Sequence, residues 1–372
     1  QSSIGGNAHS FRVEEYKRPK FEVTFEPVKG SYRLSEKITM QGKAMAYAGS
    51  NVDGAMVTWR VVREVRFPWL PWWMMRWFPQ RGETMEIANG EAATDAEGKF
   101  SFQFTALPDR SIPKEQKPEF SYTVYADVTD ITGETQSQEA YVSVGYVSLR
   151  ADAVPANAAG KPLASGSPGA PKTFPSDPPS GAGGGDVNLD SLKKFVVNIE
   201  NLNGEPEPAQ GTLTVELLQA PQTIFLSRFW EKPDRQVMSE KDFKKEFSQF
   251  AYAGEDRVEN WKVERQVFEA KFDTKDSKEV LLPKVLLSPG KYVVTLRTKD
   301  KYGEAVEVKK YYTFYRLTDA GVAPGEKKVA GGEVRPPVPM IGWHLLENQN
   351  FEPGETARLY FASSEKSLPI LL

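Results

Sequence analysis

The chain has 372 residues, of which 40% are hydrophobic and 26% charged, with a formal net charge of -3 and no cysteine. That length exceeds one small domain and suits two or three. The even mixture of charge gives no basic face for nucleic acid, and the missing cysteines exclude disulfides, thiolate metal sites and thiol nucleophiles. Only His9 and His344 could supply an imidazole, and an activated nucleophile needs an oriented base within reach. The expectation is therefore no enzyme, with no catalytic, cofactor-binding or metal-binding residues. No apolar run is long enough to span a bilayer. Both ends read as cuts in something longer, because no signal region follows Gln1 and a strand pattern is still running before the terminal LPILL.

Residues 1–10 are small and polar and read as a leader or tag remnant. From 11 to 150 the chain alternates apolar and polar residues between turn signals. FEVTFEPV, the run through SYRLSEKITMQGKAMAYA, and DGAMVTWRVVREV read as successive strands. TDAEGKFSFQF (94–104) and FSYTVYADVTDITGETQSQEAYVSVGYVSL (120–149) supply more. One apolar face per strand is the mark of antiparallel sheets packed face to face. Residues 151–187 are made almost wholly of Ala, Gly, Pro and Ser. Such a composition buries too little apolar surface to offset ordering entropy, and it predicts a plain linker between modules. Protease bait is the lesser reading of this stretch, since its basic residues are only Lys161 and Lys172 and its one aromatic is Phe174.

A second sandwich is expected over 188–316. KKFVVNIENLNGEP opens it around an Asn203-Gly204 turn, and SPGKYVVTLRTKDKYGEAVEVKKYYTFYR closes it. Within it, Ser239 and Asp242 form a capping-box pattern, with Phe243, Phe247 and Phe250 recurring at helical spacing. One short helix over 239–252 is predicted there, lying against a sheet end. Residues 317–372 read as a Pro/Gly-rich joint followed by the first strands of a partial third sandwich. Both sandwiches repeat a Gly-aromatic strand followed by an Asp-x-x-Gly turn, which is a hairpin signature. The fold class is all-β, as tandem antiparallel sandwiches of one kind.

VEEYKRPKFEVTF (13–25) resembles the domain-junction segment of the α-2-macroglobulin family, through Glu14, Glu15, Tyr16, Pro19 and the strand Phe21-Val23-Phe25. YRLSEKITMQGKAMAYAGSNVDGAMVTWRVVRE (32–64), TDAEGKFSFQF and SPGKYVVTLRTKDKYG are similar to later strands of its macroglobulin domains, especially in large bacterial members. The resemblance implies seven-stranded macroglobulin domains of fibronectin III-like appearance in a periplasmic or extracellular protease-trapping protein. Neighbouring macroglobulin domains and proteases would be the partners. The family's Cys-Gln thioester cannot be carried over, because this chain has no cysteine. The function implied is that of a non-catalytic scaffold. Its rival is a surface adhesion array that binds polysaccharide or protein.

FPWLPWWMMRWF (67–78) is the candidate interaction patch. Phe67, Trp69, Trp72, Trp73, Trp77 and Phe78 crowd what reads as a long hairpin tip. That much aromatic surface, at ~150–250 Å² per ring, needs a cover. Its own sandwich or a neighbouring module comes first, a partner second, and a membrane surface last despite Arg76 and Arg81. Asp127, Asp130 and Glu134 are the residue types a calcium loop uses, but they lack further carboxylates at suitable spacing, so turn-forming roles are expected.

Overall fold

The computed structural model describes residues 20–28, 30–67, 84–163, 184–226, 237–283, 287–316, 336–346, 352–354 and 359–365, with Arg228, Trp230, Arg235 and Thr356. Two compact units divide between Tyr146 and Val147.

In the first unit the strands are β1 (Phe21–Phe25), β2 (Lys37–Ala46), β3 (Met56–Arg66), β4 (Met85–Ala93), β5 (Lys99–Thr105), β6 (Glu119–Thr129) and β7 (Thr135–Gly145). They form a three-stranded sheet in the order β1-β2-β5 and a four-stranded sheet in the order β4-β3-β6-β7. All pairs are antiparallel. The period-two pattern of the sequence becomes burial directly: in β2 Ile38 and Met40 are buried, while Lys37, Thr39 and Gln41 are exposed. Trp59 of β3 stacks on Phe102 of β5 at 4.4 Å and 5°, joining the two sheets across the core.

The second unit has β8 (Leu149–Ala156), β9 (Asp186–Asn188), β10 (Lys194–Asn201), β11 (Gln210–Leu218), helix α1 (Glu240–Glu246), β12 (Val263–Asp273), β13 (Glu279–Leu281), β14 (Gly290–Lys299) and β15 (Ala305–Tyr315). The sheet orders are β13-β10-β8 and β12-β11-β14-β15-β9. With β9 set aside, strand for strand this is the first unit again, β8 standing for β1, β10 for β2 and β14 for β6. Even single residues correspond. Tyr122 on β6 and Tyr292 on β14 each donate a hydroxyl hydrogen bond back to the preceding loop, to the Leu107 carbonyl at 3.1 Å and the Ser288 carbonyl at 2.9 Å.

The turns repeat with equal fidelity. Between β6 and β7 the Asp130 carboxylate accepts from the backbone N–H groups of Thr132 and Glu134 (2.8 and 2.9 Å), and Gly133 takes φ 82°. Between β14 and β15 Asp300 accepts from Tyr302 and Glu304 (3.0 and 2.9 Å), and Gly303 takes φ 89°. Asp95 and Asn201 head turns of the same kind before β5 and after β10. The short side chain satisfies the turn's orphan N–H groups, and glycine supplies the left-handed residue at low steric cost.

Three expectations need correction. Residues 149–156 are the first strand of the second sandwich, paired with β10 in unbroken register from Leu149↔Asn201 to Ala156↔Lys194. The Ala/Gly/Pro/Ser stretch therefore lies inside that sandwich, as the connection between its first two core strands, and does not join two modules. Residues 164–183 of it are outside the described residues, as are 1–19 and 317–335. The second sandwich begins near 149, not at 188, because β8 is held by its partner strand and not by its own propensity: Ala153 and Ala156 are small enough to bury flat against the core. The helix is also shorter than expected. Ser239 caps it, accepting from the Asp242 N–H at 3.2 Å, but Phe247 at φ -129° ends it, so Phe250 lies beyond it.

Past β15, β16 (Trp343–Leu346) and β17 (Leu359–Ala362) pair as a hairpin, where a third module was expected to begin. Trp343 meets Tyr315 edge-on at 5.4 Å. Among the described residues no helix is long and apolar enough to cross a membrane.

Candidate interaction site

The predicted aromatic patch belongs to the connection from β3 to β4. Phe67 is buried, at 6% exposure, at its root. Trp69, Trp72, Trp73, Trp77 and Phe78 lie outside the described residues. The root is built by polar pinning that the sequence did not advertise. Arg63, on the core side of β3, donates to the Pro108 carbonyl at 2.8 Å and pairs with Asp109 at 3.0 Å. Tyr122 holds the same loop through Leu107. A buried guanidinium needs acceptors, and these engage both of its terminal nitrogens while Nε has no hydrogen-bond partner among the described residues. A hydrogen bond from the Ser111 hydroxyl, helped by its N–H and by Arg63, holds the Asp109 carboxyl below the usual carboxylate range against the effect of burial. Burial pushes the Tyr122 phenol up.

The second sandwich makes its own aromatic cluster at the corresponding connection, from β11 to β12. Trp230 packs on Phe250 at 4.8 Å and on Phe247 at 5.8 Å; Phe243, 6% exposed, touches Phe247 and Tyr252. Arg228 stands over the Phe243 ring at 5.0 Å. The helical period found Phe243, Phe247 and Phe250 but missed Trp230 and Tyr252. Their signal was aromatic density on both sides of the capping box, which a search for helical period alone passes over. Glu259 of the same insertion bears on the charge of Lys291, whose amine burial drives down while Asp186 and Glu259 oppose the shift. Lys291 donates to Thr313 at 2.9 Å.

A cleft of about 790 Å³ at the turn end of the second sandwich is lined by Gln210, Asp273, Lys275, Arg297, Asp300 and Glu307, among others. Each acid there is engaged. Asp273 is lowered by the Lys275 N–H and then by Gln210, and Glu307 by Arg297 and then Lys309. Asp300 holds Ser148 as well as its own turn. Asp127 accepts from Ser137, and Asp130 accepts from the backbone of its own turn, as the turn-forming reading of these acids describes. His344 sits in β16 opposite Phe361.

No protein-family model matches the chain. No curated protein sequence matches it. Among solved structures, the trypsin-activated α-2-macroglobulin of Escherichia coli is 10% identical, with 92% of this chain and 19% of that one covered, at a TM-score of 0.31. Salmonella α-2-macroglobulin reacted with methylamine is also 10% identical, with 94% and 19% covered and a TM-score of 0.30. A tetra-tandem repeat from the extending region of a large adhesion protein is 13% identical, with 79% and 49% covered, at 0.20. The chain thus spans about a fifth of the length of the first of these. A likeness of this size carries no argument.

Proposed function

We propose that this chain is a non-catalytic scaffold segment of an α-2-macroglobulin-like protease trap of the cell envelope, periplasmic or extracellular. One observation carries the reading: the stretches that resemble macroglobulin domains fall on strands and turns of a twice-built sandwich. FEVTF is β1, the run from 32 to 64 contains β2 and most of β3, TDAEGKFSFQF is the turn into β5, and SPGKYVVTLRTKDKYG is β14 with its following turn. The engagement of the carboxylates in turns and pins supports a geometric role over bond-making chemistry.

The parent protein carrying this segment tests the reading. Mixed with trypsin, it should leave hydrolysis of a small amide substrate intact while shielding the protease from a protein-sized inhibitor. Trypsin that stays fully open to that inhibitor contradicts the trap. Retention on a polysaccharide that is lost on Trp72→Ser with Trp73→Ser would favour the adhesion array instead.

A further inference from the structure

Each sandwich receives its chain in the same way. In the first, the backbone N–H of Lys20, the residue before β1, donates to the Glu134 carboxylate at 2.7 Å. In the second, the residue before β8 is Ser148, and both its N–H (3.1 Å) and its hydroxyl (3.0 Å) donate to Asp300. Glu134 and Asp300 sit on corresponding turns, between β6 and β7 and between β14 and β15. They reach the entering chain from different turn positions, so one geometry is met by two separate side-chain solutions. In the second sandwich both partners are buried, Ser148 at 3% and Asp300 at 6% exposure.

The direction of the strands gives this contact a mechanical meaning. β8 and β15 run the same way, since Ser148 meets Asp300, Asp152 meets Lys310 at 2.5 Å, and Ala153 accepts from Tyr312 at 3.1 Å. The chain therefore enters at the turn end and leaves at the opposite end. Pulling on both ends loads the β8–β10 ladder lengthwise, all of its register pairs together, where a hairpin pulled at its open end yields one pair at a time. The first sandwich has the same layout, with Phe21↔Ala46 at the entry end and the exit at Gly145.

We propose that the acidic turn of each sandwich is a tension clamp, tying the incoming chain to the hairpin through which it leaves so that stretching is resisted in shear. The β16–β17 hairpin is the internal contrast. Its open ends, Trp343 and Ala362, lie side by side, so the same pull unzips it.

Single-molecule stretching of the full chain from its two ends tests this. The hairpin should open first at low force, followed by two cooperative events, the second sandwich releasing the longer chain. Glu134→Ala removes the first clamp while Asp130 keeps the turn. It should speed unfolding of the first sandwich at constant force about tenfold and leave the other event unchanged. Ser148→Pro, which deletes both donors, should do the same to the second; Ser148→Ala, which keeps the N–H, should have a smaller effect in the same direction and serves if the proline variant does not fold. Asp130→Ala, which damages the turn but not the clamp carboxylate, should lower chemical stability more than mechanical strength. Unchanged rates in Glu134→Ala and Ser148→Ala would overturn the clamp, as would early peeling of β1 or β8 at forces near those of the hairpin.

Discussion

The two sandwiches share strand order, turn chemistry and the tyrosine that ties the start of the sixth strand, yet they differ in where extra chain is placed. In the first, the connection between the first two strands is short, running from Glu26 to Glu36, and Arg33 merely bridges Gly145. In the second the same connection runs from Asn157 to Lys193 and sends β9 to pair parallel with β15, burying Val187 completely. The third-to-fourth connection carries aromatics in both. The comparison teaches that this framework tolerates large insertions where the flanking strands are already fixed by neighbours, because loop closure grows expensive only slowly with length.

Substitutions at corresponding positions sharpen the comparison. Trp59 and Leu213 occupy equivalent core sites on β3 and β11. Trp59→Ala should cost about 3–5 kcal/mol and Leu213→Ala about 2–5 kcal/mol, each in its own sandwich. Urea unfolding followed by probes in each unit would resolve them, and a variant that lowers only the wrong transition breaks the equivalence.

Next come the glycines that lie under aromatic rings. A methyl at Gly42 would meet the Phe100 ring at 2.3 Å, one at Gly90 the Trp59 ring at 2.6 Å, and one at Gly211 both the Arg297 backbone oxygen at 2.1 Å and the Phe272 ring at 2.7 Å. A ring can shift and a strand carbonyl cannot without breaking its ladder. Gly211→Ala should therefore exceed Gly90→Ala, both within about 1–3 kcal/mol. Equal thermal shifts would contradict that ranking.

Acid should separate the two units as well. The Asp109 carboxyl has a folded pKa held below its ordinary value. Its contribution is present above the unfolded value, about 4, and is lost as pH falls through the folded value. Asp109→Asn should flatten the acid side of the first unit's stability profile and leave the second unit's profile unchanged. The smallest effect belongs to Arg297 and Glu307, half-exposed partners at 2.6 Å. Glu307→Gln should change stability by about 0–1 kcal/mol and lose most of that in high salt.

Much of this fold was legible because alternation and turn chemistry agree locally. KITMQGKAMA could be only a half-buried strand, and TDAEGK, TDITGE and KDKYGE announce their turns through Asp and Gly. What failed was LRADAVPA. Its small residues and proline carry no strand signal, and only the partner β10 makes it one. The aromatic patch was legible as composition, whereas its root was not: Arg63 resembles any surface arginine until the carbonyls of the 107–109 loop are brought to it.

The central claim is that β8 belongs to the second sandwich, with the low-complexity stretch inside that sandwich. Replacing part of 166–180 with a specific protease site and cutting it tests this most directly. The account predicts that the two fragments elute together in native gel filtration and part only in denaturant, because β8 remains paired with β10. Fragments that separate at once under native conditions would contradict it and restore the linker between modules.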